Sequence, residues 1–358
     1  MGNIYSFICP DGGYDNFEAQ FEQYQILIGL KKTDKLNELN AILQCLGHCD
    51  IILDYFKYHF KKIEKLETYK KYNNDKISLS TAFKNIIEKL WPNEYCRREG
   101  KPYMTIDDSK EFLNMIYKIK PTYNTNNEIL IEFILKRLSI ELYKPKTIDI
   151  IENNSNQKEI ALNNYCQENK KEMMSKIGDL FYATEYSTNG QIYEFKSYLY
   201  RYYSLGEVYN YKCMTCQNGV NIFYKFIPGD SININQISII DCLYYENKNQ
   251  NKIIYTSPEI LIFIFDKNNI PTNINFLIEE NINIASFVEK KQKTYYELFG
   301  IIIYYSSTNS EKYRAYCKYP INNYWHWFED EKFEIMQNFQ EIAQRNFIPY
   351  MLFYKHKK

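Results

Sequence analysis

Glycine and proline are scarce in this chain of 358 residues: there are 12 and 10 of them. Histidine is scarcer, with four, at 48, 59, 326 and 356. Any acid–base chemistry that needs an imidazole has few places to look. There is no excess of either charge, since 44 Lys and Arg face 44 Asp and Glu. A protein whose main task is gripping nucleic-acid phosphates carries a basic excess, so a nucleic-acid partner is not expected. No run approaches the ~20 apolar residues of a membrane helix. The first apolar run, Ile4–Cys9, lacks the length and basic flank of a secretory signal. Hydrophobic residues at 45% and charged residues at 25% exclude a chain disordered throughout.

What the chain has in abundance is tyrosine, with 36, and phenylalanine, with 22. Asparagine, isoleucine and lysine are also heavily used. An AT-rich coding sequence produces that bias, so single aromatics and asparagines carry little functional signal. Nine cysteines stand at the irregular positions 9, 45, 49, 96, 166, 213, 216, 242 and 317. An odd, unpatterned set without a signal peptide reads as free thiols in a reducing, cytoplasmic location.

The start, Met1-Gly2-Asn3-Ile4-Tyr5-Ser6, fits the N-myristoylation pattern with Gly2 as acceptor. One acyl chain binds membranes only marginally, and Cys9 is placed to supply a second by palmitoylation. The expectation is a peripheral membrane attachment through this leader. An unmodified N-terminus is the competing reading.

Periodicity divides the chain. Leu39, Ile42, Leu43, Leu46 and Cys49–Ile52 recur at helical spacing and predict a helix over 36–58, started by Asp34 or Asn37. Further helices are expected over 79–91, 109–119 and 127–143. The polar stretch 146–170 reads as a linker or exposed loop. Later runs are short, β-branched and aromatic and predict strands at 222–227, 237–240, 253–255, 260–265, 274–278, 298–305, 313–316 and 350–354. A helix is expected over 331–345. A helical half followed by a sheet-rich half defines an α+β fold.

Several blocks in order resemble the ubiquitin-specific protease family of papain-like deubiquitinases. Gly29-Leu30 and Asn40-Ala41-Ile42-Leu43-Gln44-Cys45-Leu46 open and close a block of the form G-L-x-N-x-G-N-T-C-Y-M-N-S-x-L-Q-C-L. The helical stretch 126–142 is similar to the family's Q-Q-D-A-x-E-F-L helix without its glutamines. Ser175–Tyr182 is similar to S-x-I-x-D-L-F-x-G, and Pro258–Phe265 to P-x-x-L-x-x-x-L. Tyr296–Ile302 is similar to Y-x-L-x-A-V-V, Trp325–Asp330 to W-x-x-F-D-D, and Tyr350–Tyr354 to A-Y-x-L-F-Y. Tyr313–Lys318 resembles the residues that follow the family's catalytic histidine. Each block is short; their colinearity over 29–354 carries the resemblance.

The resemblance implies a papain-like fold with a helical thumb over 28–145, a linker over 146–172, and short fingers and palm over 173–358, behind a leader over 1–27. It also implies where catalysis would sit. The nucleophile position is Asn37, whose amide nitrogen cannot attack an isopeptide bond. The histidine position is Lys312, protonated at neutral pH at its ordinary pKa and no base. The aspartate position is Glu329. The oxyanion-hole position is Lys32, the glycine before the nucleophile falls at Asp34, and a second family histidine falls at Tyr304. A cysteine protease needs nucleophile, base and orienting group together. The expected function is therefore an inactive deubiquitinase-like scaffold that binds ubiquitin, a ubiquitin-like protein or other proteins. A working ubiquitin hydrolase with atypical residues and a purely structural subunit are the alternatives. Lys312 and Glu329 are expected to form an ion pair that fills the cleft and ties the two halves together.

Cys45 and Cys317 fall at family core positions, and His48, three residues after Cys45, reads as a surface or core histidine. Cys213 and Cys216 form one C-x-x-C, where zinc-bound fingers use two pairs, and Cys242 finds no partner over 243–257. The pair reads as a relic in a short finger hairpin. No zinc and no cofactor is expected.

Overall fold

The computed structural model describes residues 27–32, 38–60, 78–91, 103–106, 108–124, 129–142, 156–168, 175–189, 192–217, 235–268, 274–290, 293–307, 310–336, 338–345 and 347–357. Gly2, Cys9, Asp34 and Asn37 lie outside them, as does the strand expected at 222–227.

The first elements are β1 (Leu27–Leu30), α1 (Leu39–Gly47), α2 (Asp50–Asp54), α3 (Leu79–Leu90), β2 (Tyr103–Ile106) and α4 (Asp108–Ile119). Then come α5 (Leu130–Glu141), α6 (Gln157–Glu168), α7 (Lys176–Phe181), β3 (Ala183–Asn189), β4 (Ile192–Tyr198) and β5 (Arg201–Tyr203). They are followed by α8 (Leu205–Gln217), β6 (Gln236–Ser238), α9 (Ile239–Asn249), β7 (Lys252–Thr256), β8 (Ile260–Phe265), β9 (Asn275–Leu277) and β10 (Asn281–Asn283). The last are β11 (Tyr295–Ser307), β12 (Ser310–Lys318), β13 (Trp325–Glu329), β14 (Lys332–Met336), α10 (Phe339–Ala343) and β15 (Pro349–His356). The mixture is α+β, and none of the described helices is long and apolar enough to cross a membrane.

The chain forms two compact units, each discontinuous in sequence. One comprises Met1–Leu130 and Tyr305–Gln337, the other Ile131–Tyr304 and Asn338–Lys358. The chain passes from one to the other within β11.

In the first unit α1 is buried along its whole length. The expected helix over 36–58 breaks after it. Cys49 adopts extended backbone (ψ 115°) and starts α2, which continues as a π-helical turn over Tyr55–His59. α3 starts as expected, with the Ser78 hydroxyl accepting from the Thr81 amide at 3.2 Å. β1 and β2 pair in parallel. β12, β13 and β14 pair antiparallel in sequence order. The helix expected over 331–345 is replaced by β14 and the short α10. Asp330 takes a positive φ of 51°, which closes a tight β13–β14 hairpin and lays Phe333 opposite Phe328.

The second unit holds an antiparallel series β10–β11–β15–β8, with β5 running parallel to β8. All six residues of β8 are buried, so both of its faces are covered and it reads as an unbroken apolar run rather than an alternation. A separate sheet has the order β4–β3–β7. Four helices here were not expected, the short α7 within the Ser175–Tyr182 block among them. α6 occupies the polar stretch read as a linker, and its Ala161, Leu162, Tyr165 and Cys166 pack on Tyr186 and Phe195 of the β3–β4 hairpin. The expected strand at 237–240 gives way after β6 to α9. There the Ser238 hydroxyl and the Asp241 side chain form a reciprocal capping box that outweighs the β-propensity of Ile239 and Ile240. α8 carries Cys213, so the C-x-x-C lies on a helix and not in a hairpin.

Candidate functional site

β1, α1 and the β13–β14 hairpin meet at the place where the sequence puts its site residues. Leu30 N–H donates to the Asp330 carbonyl at 3.0 Å. Gly29 lies so close to the hairpin that a Cβ there would stand 2.7 Å from the Glu331 carbonyl oxygen. Asn40, in the first turn of α1, donates through Nδ2 to Asp330 Oδ1 at 2.7 Å and to the Lys31 carbonyl at 3.0 Å. One turn on, Gln44 Nε2 donates to the Ile28 carbonyl at 2.9 Å. The start of α1 is thereby pinned beside Glu329 and Asp330. Asn37, three residues before Asn40, lies outside the described residues. Burial raises the Asp330 pKa, while Asn40 and the Lys32 charge pull it down. Lys32 itself is exposed on the strand exit.

Glu329 is the centre of a charged cluster within this unit. The Ala315–Phe328 pairing sets Arg314 of β12 against Glu329 of β13. Arg314 donates to Glu329 Oε2 through Nε at 3.2 Å and Nη2 at 2.8 Å. The Tyr305 hydroxyl donates to the same oxygen. Lys312 Nζ stands 3.6 Å from Oε1. Burial opposes the Glu329 charge, but Tyr305, Arg314 and Lys312 outweigh it, and its pKa falls below the usual carboxylate value. Burial and the hydrogen bond to Glu329 push Tyr305 up to about 12. Arg314 also lies over the Trp327 ring at 4.3 Å.

The expected ion pair is thus present, with two corrections. Arg314 is its main cation; Lys312, with a side chain 45% exposed, is the outer one. Both cations belong to the same unit as Glu329, on neighbouring strands, so the pair does not tie two halves together. Arg314 and Tyr305 were missed as site residues, although the two-residue period from Lys312 puts Arg314 on the same face.

Cys45, Cys317, His48 and His326 of this unit are core groups. Cys45 and Cys317 are fully buried, their sulfurs 3.8 Å apart. Burial and the neighbouring thiol hold the Cys317 pKa well above its ordinary value, so it is no thiolate. His48 packs against Trp91, Tyr319 and Phe328, and its Nδ1 lies 2.8 Å from the Gln44 carbonyl. Burial lowers its pKa to about 4, the Gln44 contact opposing. His326 pairs with Cys317 across the strands, and burial followed by the His48 charge lowers it to about 3. Both are neutral at pH 7.

In the second unit Tyr304 lies under the Lys267 ammonium, 4.9 Å from its ring centroid. Cys213 is half-buried on α8; nothing is described of the Cys216 side chain. Cys242 is fully buried on α9. Among the described residues, no group of three His, Cys, Asp or Glu is arranged to hold a metal ion.

Known proteins agree with the fold. The ubiquitin carboxyl-terminal hydrolase family matches residues 29–354. The chain belongs to that family. Ubiquitin carboxyl-terminal hydrolases 10 and 9 of Arabidopsis thaliana are each 27% identical over 124 residues, a stretch covering 32% of this chain and 13% of theirs. Among solved structures, the Ubp8–Sgf11–Sgf73–Sus1 SAGA DUB module is similar with a TM-score of 0.57 at 16% identity, over 94% of this chain and 69% of the matched one. The yeast SAGA module with a substituted Sgf73 gives 0.58 at 16% identity, over 97% and 74%. A Ubp8 module bound to monoubiquitin gives 0.55 at 15%, over 97% and 76%. The likeness to these structures establishes the papain-like deubiquitinase fold.

Proposed function

We propose that this chain is a catalytically inactive deubiquitinase-like protein that serves as a ubiquitin- or protein-binding scaffold. One observation carries the reading: at the position where the resemblance places the catalytic histidine stands Lys312, and the carboxylate meant to orient an imidazole is instead engaged by Arg314, Tyr305 and Lys312. An orienting carboxylate already committed to two cations and a phenol has no base to orient. Asn37 at the nucleophile position and Lys32 at the oxyanion position point the same way. His48 and His326, being buried and neutral, offer no substitute base, and Cys45 and Cys317 no substitute nucleophile.

Ubiquitin as partner rests on family membership and on the monoubiquitin bound by the similar Ubp8 module. Binding and catalysis are separate sites on a fold, so loss of the catalytic groups does not require loss of the binding surface. An acyl anchor on the leader, at Gly2 with Cys9, would place this scaffold at a membrane face in the cytoplasm. The test of the scaffold role is isothermal titration of monoubiquitin into the purified chain. Saturable heat is expected; its absence, with a folded protein, removes ubiquitin from the reading.

A further inference from the structure

On the β4–β3–β7 sheet of the second unit, three tyrosine rings lie about the Lys158 ammonium, and a second ammonium, Lys290 Nζ, stands at the edge of the cluster 4.7 Å from the Tyr255 centroid. Lys158 Nζ lies 4.1 Å from the ring centroid of Tyr186 and 5.7 Å from those of Tyr193 and Tyr255. The rings stand at angles to one another: Tyr186 and Tyr193 at 54°, Tyr186 and Tyr255 at 70°. Phe195 packs behind Tyr186 and Tyr255, with centroids 5.3 and 5.4 Å away. Glu289 closes the remaining side. Its carboxylate accepts from Lys158 Nζ and from the Tyr186 hydroxyl at 2.7 Å. Lys158 Nζ also donates to the Tyr186 oxygen at 3.0 Å. Ring faces and a carboxylate converging on one point are the chemistry that recognises an alkylammonium.

The occupant comes from the chain's own α6, and two features mark it as replaceable. Lys158 sits in the first turn of that helix, where the macrodipole disfavours a cation, so the helix itself gives it no reason to be there. The site also opens to water: the side chain of Glu289 is 37% exposed and that of Lys158 is 18% exposed. The apolar anchoring of α6 runs through Ala161, Leu162, Tyr165 and Cys166, which lie further along the helix. Withdrawing Lys158 requires only the first turn to open, since these anchors lie beyond it.

We propose that Tyr186, Tyr193, Tyr255 and Glu289 form a lysine-recognition site for a partner protein, and that Lys158 is its built-in competitor. Because Glu289 and the Tyr186 oxygen accept N–H bonds, the ligand is a lysine or monomethyl-lysine side chain. A trimethylammonium has no proton to donate and an acetylated lysine no charge. The site is independent of catalysis and of the scaffold reading above.

The experiment uses the full chain with isoleucine methyl groups labelled for NMR, because Ile253 packs against this cluster. The probes are one short peptide carrying a single lysine and its trimethylated and acetylated forms. Removing the competitor in Lys158→Ala is expected to tighten the lysine peptide by about tenfold or more, since only the fraction with an open cage binds in the native chain. The trimethyl form should bind more weakly and the acetyl form should not shift the Ile253 methyl. Adding Glu289→Gln should abolish the gain. Equal affinity for native chain and Lys158→Ala, or no binding by either, overturns the proposal. Lys158→Met keeps the alkyl length without the charge. Loss of the folded Ile253 signal in both variants would mark Lys158 as a structural pin and overturn it as well.

Discussion

Arg314→Ala and Lys312→Ala should differ in stability, although both remove a cation from Glu329. Arg314 supplies two hydrogen bonds, at 3.2 and 2.8 Å, and stacks on Trp327 at 4.3 Å. A hydrogen bond to a charged group contributes about 1.5–3 kcal/mol, and an exposed cation–π contact about 0.5–1 kcal/mol. Arg314 keeps 24% of its side-chain exposure, so water recovers part of this, and a loss of about 2–3 kcal/mol is expected. Lys312 stands 3.6 Å away with 45% exposure, in the regime where ion pairs contribute about 0–1 kcal/mol. Urea denaturation at pH 7 reads both variants against the native chain. The pH dependence supplies a second check. Glu329 has a depressed pKa in the folded state, so its contribution is full above the ordinary carboxylate value and disappears as pH falls through the folded one. The deficit of Arg314→Ala should therefore shrink towards pH 3. A Lys312→Ala loss equal to or larger than that of Arg314→Ala would refute the assignment of Arg314 as the principal cation.

His326, with a folded pKa of about 3, and His48, of about 4, both lie below the ordinary value of 6.5. The unfolded chain binds the extra protons first, so each should cost stability at about 1.4 kcal/mol per pH unit as pH falls below 6.5. His326→Phe should flatten that acid loss in a denaturation series from pH 7 to 4; an unchanged slope counts against a buried neutral ring. Gly29→Ala would bring a Cβ to 2.7 Å from the Glu331 carbonyl oxygen, and the shift this forces should cost about 1–3 kcal/mol by thermal denaturation. A neutral result would mean the strand and hairpin are not so closely apposed. Intact-mass analysis of protein from its own cells should show a fatty acyl group on Gly2, and Gly2→Ala should move the chain to the soluble fraction; an unmodified Gly2 removes the anchor.

Long amphipathic or uniformly apolar segments were readable from sequence. α3, α4 and β8 lie where their patterns put them, because each buries one stripe or two full faces. The failures share a cause. α9 begins with two isoleucines that read as strand, and a two-residue capping box decides otherwise. α6 lies in a stretch of mostly polar composition, and its few apolar residues, Ala161, Leu162, Tyr165 and Cys166, find their partners only in Tyr186 and Phe195 far along the chain. The segment after Glu329 has helical composition but follows a positive-φ turn at Asp330 that sends it back along β13. At the candidate site, the colinear motifs pointed to Lys312 and Glu329, which the structure sets 3.6 Å apart. The dominance of Arg314 and the phenol of Tyr305 depended on which side chains cross-strand register brings together, and single motifs do not state that.

Absence of cysteine-protease chemistry can be tested with a ubiquitin bearing a C-terminal vinyl-type trap. The trap reacts with a nucleophilic cysteine held beside a base and an oxyanion site. The purified chain, incubated with the trap and analysed by intact mass, should keep its own mass under conditions that label an active family member completely. A covalent adduct on any cysteine, with its site mapped by peptide mass spectrometry, would overturn the inactive reading and identify a working ubiquitin hydrolase.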